Sequence, residues 1–491
     1  MDKWWTSRAR RRAAWGAALT TMVLLAGCGG GGGAETAVPA TVTPDLLAAQ
    51  ISSKVLETSA QPVLAAATDI DDSGRLTVLF AQATAGRVAL HAVQGEPGAR
   101  DVAPVFNLPT VVDALAPYDG SGRLRLVTSP AGHALALWFT SAPCTATTYN
   151  TSGQCSLVVT ARRLAGAGWE PPLVVGDTPG DLPKAIINDA GDAVLLWPAW
   201  QRDAQGLLTL ARSVVWRTAA ASQFTAPVVF ADIQTPAGSD VGITLSRDGQ
   251  MVYTSMTTGA TGNMVVARRG NTVSGFGQTE RLDTAADAVI EGMWGGVNGH
   301  VVVLWQQTDG ARTTRWSATL DSAGQAWQIG ERSAVGTQLA AAVQAGVSDA
   351  GDFFWYDLTR CVALRRTAGA WQAESALPAG VCLASPSYVQ AVARRGDLFG
   401  GLFSLSAPAG NTGQWLAYGA TLGELTHPIG SQSGDYLLGT ASTLGGSLLL
   451  AENGVVAVLT ASAYDILPSA DAPAGTLGSA TNLWVTYLKL P

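Results

Sequence analysis

Residues 185–197 read AIINDAGDAVLLW, and residues 126–138 read LVTSPAGHALALW. In both, a short apolar run stops at small or polar residues and a glycine, Gly191 or Gly132, and an alternating apolar run then ends in tryptophan six residues later. Asp/Asn-x-Gly and Asp-Gly sequences support tight turns, because glycine accepts a positive φ and an Asx side chain bonds its own backbone. Period-two alternation rich in Val, Leu and Thr is a strand pattern. Each stretch therefore predicts a hairpin with a large ring at the end of its second strand.

The same pattern recurs in both directions along the chain. It appears as ATDIDDSGRLTVLF around Gly74, ITLSRDGQMVYTS around Gly249 and MWGGVNGHVVVLW around Gly299. Weaker copies are AGVSDAGDFFWYD around Gly351, AVARRGDLFGGLF around Gly396 and LLLAENGVVAVLT around Gly454. The eight glycines stand 58, 59, 58, 50, 52, 45 and 58 residues apart. Phe80, Trp138, Trp197 and Trp305 all follow their glycine by six. A second marker keeps phase: an aromatic residue after a small or polar turn, at Trp169, Phe224, Phe276, Trp327 and Trp371. Between the markers lie alternating segments such as SLVVTARRL at 156–164 and MVVARRG at 264–270. Each unit thus reads as four short strands, and its rings supply apolar area to bury between neighbouring sheets.

Four strands repeated over more than 400 residues predict an all-β fold, a β-propeller. The expected count is eight four-stranded blades, or seven if the weak units at Gly396 and Gly454 merge. The D-x-x-G-x-(A/V)-x-(A/V)-x-W pattern followed by G-W resembles the repeat of a broad group of bacterial exported propeller proteins. That resemblance covers nearly all of the chain after the leader and speaks to architecture, not activity. The last unit supplies three strands, at about 447–452, 455–461 and 483–490, and ISSKVLETS at 51–59 has no partners of its own. This segment is expected to add the fourth strand and close the ring, which removes an exposed edge. Helical periodicity is confined to 44–52. The apolar stretch 445–463 is interrupted by Glu452, Asn453 and Gly454, and reads as two strands and a turn rather than a membrane span.

The first 27 residues form a leader. Lys3, Arg8, Arg10, Arg11 and Arg12 precede an apolar run from Ala13 to Leu25, too short and wrongly flanked for a permanent span. The closing Leu25-Ala26-Gly27-Cys28 resembles the bacterial lipobox, which implies diacylation (palmitate) on Cys28 as the new N-terminus. Gly29 to Gly33 suit a flexible leash, so residues 28–49 are expected to tether a single domain over 50–491. By the same resemblance, glycine after the cysteine favours the outer membrane, facing the periplasm or the cell surface.

Removing residues 1–28 takes five basic and one acidic residue from totals of 30 and 37, so the remainder carries −11. An acidic chain without a basic cluster is a poor partner for nucleic acid, and no polybasic patch supplements the lipid at the membrane. Four further cysteines, Cys144, Cys155, Cys361 and Cys382, fit an oxidising compartment. They allow three pairings. The nearest-neighbour one, 144–155 with 361–382, closes two short loops worth about 3 kcal/mol each. The wide spacings and the four histidines of the chain disfavour zinc.

No nucleophile elbow, zinc helix or phosphate loop is present, so no catalytic residue, cofactor or metal ligand is assigned. His133 and His300 follow the repeat glycine directly, where other units carry Arg75, Asp192, Gln250, Asp352 and Asp397, and so read as turn residues; His91 and His427 are the other two. Asp69-x-Asp71-x-Ser73-Gly74 echoes a calcium loop, but its last ligand would be Phe80. Arg162-Arg163, Arg268-Arg269 and Arg365-Arg366 recur near the end of the third strand. They could form an arc for carboxylate or sulfate, although solvated positions that blunt sheet edges are the preferred reading.

Sialidase-type propellers are similar in architecture and carry S-x-D-x-G-x-T-W boxes; Ser348-Asp349-Ala350-Gly351 comes nearest and misses the pattern. The chain is also similar, in localisation and blade count, to the propeller lipoprotein of outer-membrane barrel assembly, whose G-K-x-x-W repeat it lacks. The expected function is a monomeric envelope scaffold that binds a protein or a glycan. A glycan-acting hydrolase or lyase and an accessory factor of outer-membrane protein assembly are the alternatives.

Overall fold

The computed structural model describes residues 50–57, residues 63–376 apart from short connecting segments, and strands between 389 and 489. The leader, Cys28 and the glycine run lie outside the described residues. All secondary structure among the described residues is β-strand, arranged as antiparallel sheets.

Sheet one contains Val63–Ile70, Leu76–Thr84, Arg87–Glu96 and an outer strand split into Val105–Phe106 and Thr110–Val111. Sheet two is Leu124–Thr128, Ala134–Pro143, Gln154–Arg163 and Leu173–Asp177. Sheet three is Lys184–Ile187, Ala193–Arg202, Leu208–Arg217 and Val228–Val229. Sheet four is Gly242–Leu245, Gln250–Gly259, Gly262–Asn271 and Gly275–Arg281. Sheet five is Ala288–Gly295, Val301–Asp309, Arg312–Leu320 and Gln328–Val335. Sheet six is Val343–Val347, Phe353–Asp357, Val362–Thr367 and the split pair Ala370–Trp371 and Ser375–Ala376. Sheet seven is Val389–Arg395, Leu398–Ser406, Thr412–Gly419 and Thr426–Ile429.

The last sheet joins the two ends of the described chain. Ser447–Leu450, Val455–Ala461 and Asn482–Lys489 follow one another, and Gln50–Glu57 pairs with Asn482–Lys489 from Gln50 opposite Leu488 to Glu57 opposite Asn482. The units around Gly396 and Gly454 thus fall in different sheets. Residues 50–52, expected within a helical turn, are strand instead. Pairing with Asn482–Leu488 outweighs a weak local helical pattern.

The recurring glycine sits between the first and second strands. Gly132 has φ 87°, and its N–H donates to Ser129 O at 3.0 Å while Ser129 N–H donates to His133 O at 2.8 Å. A side chain at that φ would be strained. Successive turns are also bonded to one another. Asp72 N–H donates to Pro130 O, Ala131 N–H to Asp189 Oδ1, Asn188 Nδ2 to Ser246 O, and Arg247 N–H to Val297 O.

Phe80, Trp138, Trp197 and Trp305 are buried as the six-residue spacing implies. They lie between sheets: Trp138 packs with Leu79 and Leu90 of sheet one and with Val159 of its own sheet. Its indole N–H donates to Ala116 O, and that of Trp197 to Asp177 O, both at 2.9 Å. The first strands of sheets one to six touch in succession. Those of sheets seven and eight also touch, as do those of eight and one. Repeated antiparallel meanders with cores in the seams between them form an all-β architecture of propeller type.

Candidate functional site

The third strand of each sheet ends beside its own glycine turn: Ala134 pairs with Arg163, Ala193 with Arg217 and Phe353 with Arg366. Side chains here point into a seam, and the seam is dry. Arg162, Arg163 and Arg366 are only 2%, 4% and 2% exposed, which corrects the expectation that these arginines are solvated edge residues. Both faces of a sheet are covered by neighbours, so a polar side chain on the third strand is enclosed and must find acceptors.

Arg162 finds them across the seam to sheet three. Its Nη1 donates to Gly191 O at 3.1 Å and Thr218 O at 2.9 Å, and its Nη2 to Ala219 O at 2.9 Å and Ala221 O at 3.3 Å. Glu170 lies 2.8 Å from Arg162 Nη2 and 2.7 Å from Arg217 Nη2, so one carboxylate joins two sheets. Arg163 and Arg366 bond the carbonyl of their own repeat glycine, Gly132 and Gly351, at 3.3 and 3.0 Å. Burial pushes the Arg163 guanidinium down to about 10; nearby Arg75 adds to the shift and Asp71 opposes it. Arg268 and Arg269 are half-buried and held by Thr279 and Glu280. These contacts are structural, and the six arginines are not gathered into one anion-binding arc.

The residue after the repeat glycine has a shared task. His133 Nδ1, Asp192 Oδ1 and Asp352 Oδ1 accept the N–H of Ala165, Ala219 and Ala368, the first two standing two residues past the end of their third strands. Ala368 lies immediately after Thr367, which extends the third strand of sheet six by one residue beyond Arg366. His133 Nε2 lies 3.1 Å from Asp189 O of the next turn. His300 Nδ1 is 3.8 Å from Asp321 Oδ1, and His91 stacks on Phe80. Burial pushes all three imidazoles below their ordinary value. His427 lies on the strand Thr426–Ile429 opposite Leu416.

The acids of the calcium-like stretch are also occupied. Asp71 Oδ1 accepts from Ser73 N–H, Ser73 Oγ–H and Arg75 N–H, while Asp69 accepts from Ile70 and Thr128. Ser348 Oγ accepts the N–H of Asp352 within its own turn. Cys155 is disulfide-bonded and stands opposite Ala142. Cys144, Cys361 and Cys382 lie outside the described residues, as does the lipidation position Cys28.

Two further constellations escaped the sequence reading. Arg315, fully buried, is held by both oxygens of Glu291 at 2.8 and 3.0 Å and by Glu374 at 3.0 Å, under the face of Trp355 at 4.0 Å. Only its place in an inward register of RTTRWSATL could have flagged it. The other is a recess of about 380 Å³ between sheets three and four, lined by Trp216, Val228, Val229, Phe230, Arg268 and the hairpin 274–276. Its signal lay in aligning third strands: Trp216 occupies the register of Arg162 and Arg269, each opposite the third residue after its glycine.

No protein-family model and no curated protein matches the chain. Among solved structures, an α-L-arabinanase of Penicillium chrysogenum complexed with arabinobiose is 12% identical, with 74% of this chain and 97% of that chain covered and a TM-score of 0.35. A virginiamycin B lyase from Staphylococcus aureus is 12% identical over 76% of this chain and 97% of that chain, with a TM-score of 0.36. A protein of unknown function from Dyadobacter fermentans is 12% identical over 66% of this chain and 97% of that chain, with a TM-score of 0.31. Scores at this level transfer neither a fold nor an activity to the present chain.

Proposed function

We propose that the chain is an exported, lipid-anchored, eight-bladed β-propeller that serves the cell envelope as a binding scaffold. The commitment of five interior carboxylates carries the reading. Asp69, Asp71, Asp189, Glu170 and Glu291 each hold backbone N–H groups or guanidinium groups that join strands and sheets. A hydrolase needs a carboxylate positioned to exchange a proton with substrate, whereas these acids stiffen the frame. The succession of touching first strands and the pairing of Gln50–Glu57 with Asn482–Lys489 support a closed ring of eight. Anchorage rests on Leu25-Ala26-Gly27-Cys28 and the five glycines after it, and disulfides 144–155 and 361–382 fit the same exported setting.

The test is made on cells producing the full chain and its Cys28→Ala variant. Labelled palmitate enters the wild type only, and the variant leaves the membrane fraction. Cross-linking of the anchored protein to envelope extract then yields a discrete adduct. Label retained by Cys28→Ala would overturn the anchor, and depolymerisation of a polysaccharide or sialoside by the purified protein would overturn the scaffold.

A further inference from the structure

We propose that the outer rim of sheet one, at Leu108, Val111 and Leu115, rests in the lipid surface to which Cys28 tethers the chain, a placement that takes its tether from the anchored reading above and adds the face that meets the bilayer. Leu108 is 87% exposed, Leu115 76% and Val111 43%. They fall within eight consecutive residues, so Leu108 and Leu115 are at most about 25 Å apart. Between Asn107 and Pro117 the only ionisable residue is Asp113, and it is turned inward: it is fully buried, and its Oδ2 accepts Tyr118 N–H at 3.2 Å. The backbone explains the display. Asn107 makes two bonds to Gln94, its N–H to Gln94 O at 2.9 Å and its Oδ1 from Gln94 N–H at 2.7 Å, and the ladder resumes only at Thr110, opposite Ala92. Leu108 sits on the step between. Val112 N–H then reaches Leu90 O at 2.9 Å, which draws Val112 and Asp113 in. A turn closed by Ala116 N–H on Asp113 O, and pinned by the Trp138 indole on Ala116 O, carries Leu115 outward.

Three observations select lipid as the occupant. The strand Gln50–Glu57, onto which the tether runs, is the outer strand of sheet eight, and the first strands of sheets eight and one touch, so the tether arrives on the neighbouring rim. The 22 steps from Cys28 to Gln50 span at most about 75 Å, which holds this rim at high local concentration beside the bilayer. The side chains point the same way. Protein hot spots are built on Trp, Tyr and Arg, with Leu and Val under-represented, whereas an aliphatic set without donors matches acyl chains. The backbone is also prepared for a dry neighbour. The N–H groups of Asn107, Val112 and Ala116 and the ladder at Thr110 and Val111 are satisfied within the protein, as backbone beside hydrocarbon must be. One leucine fully withdrawn from water favours the seated state about ten-fold or more. On a tethered domain that preference sets orientation.

The experiment couples the mature, oxidised chain through Cys28 to a maleimide phospholipid in phosphatidylcholine vesicles, so that a tether is present whether or not cells acylate this cysteine. A benzophenone amino acid replaces Leu115 in one sample and Ile329, an exposed aliphatic on the outer strand of sheet five, in another. After illumination the adducts are weighed. Lipid adduct at position 115 should exceed that at 329 at least ten-fold, and Leu108→Ser should cut it three-fold or more while the melting temperature stays put. Equal lipid labelling at the two positions would overturn the proposal, as would a yield unmoved by Leu108→Ser. An adduct at 115 made mainly with a second copy of the chain, or shifted from lipid to a protein when envelope extract is added, would overturn it too. Palmitate labelling in cells tests the anchor alone, so the two readings can fail separately.

Discussion

Replacing Arg162 with leucine tests whether buried guanidinium groups hold the seams. The substitution keeps an apolar stem and removes the Arg162 donors that reach Gly191, Thr218, Ala219 and Ala221, and it leaves Glu170 with Arg217 alone. Arg162 is 2% exposed, so water does not simply replace it. Breaking a buried ion pair from one side costs about 3–5 kcal/mol. Unfolding entropy near about 2.1 cal/mol/K per residue, over the roughly 440 residues from 50 to 491, makes each kcal/mol worth about 1 °C. Calorimetric melting of the mature chain should therefore fall by about 3–5 °C. Arg162→Lys should recover less than half of that, since an ammonium cannot span the carbonyls a planar fork reaches. Arg312→Gln is the control: its pair with Glu331 is 66% and 45% exposed, and loss of such a pair costs about 0–1 kcal/mol. An Arg162→Leu melt within 1 °C of wild type, or no lower than that of Arg312→Gln, would refute the reasoning.

Two other outcomes follow from the same contacts. His133 accepts the Ala165 N–H on Nδ1, and burial pushes its pKa below the ordinary 6.5, so the fold favours neutral imidazole. The unfolded chain then takes up the proton first as pH falls, and stability present above pH 6.5 is lost on acidification. Melting temperatures from pH 7.5 to 5 should fall less steeply for His133→Asn, whose amide oxygen can accept the same N–H without titrating; parallel slopes would count against this. Deleting residues 50–57 strips one edge of Asn482–Lys489 of its partner along seven residue pairs and should lower the melting temperature by several degrees, read by circular dichroism at 218 nm. An unchanged melt would show that this pairing contributes nothing.

What the sequence displays and what it conceals have one physical origin. The Gly132, Gly191 and Gly299 turns and the tryptophans six residues on are legible, because positive φ and the filling of a seam each demand a narrow set of residues. The ladder from Gln50 to Glu57 was also within reach, since three terminal strands lacked a fourth. The third-strand arginines misled because alternation normally assigns polar side chains to water. In a row of sheets that cover one another there is no wet face over the middle strands, so polarity at Arg162, Arg163 and Arg315 marks a hydrogen-bond destination on the neighbouring sheet. It follows that the seams are where such a chain can vary its chemistry without altering its frame. The exchange of guanidinium for indole at one register, with glycine facing it, turns a bonded seam into an open recess. The backbone pairing on either side, Val194 with Trp216 and Val252 with Arg269, stays in step.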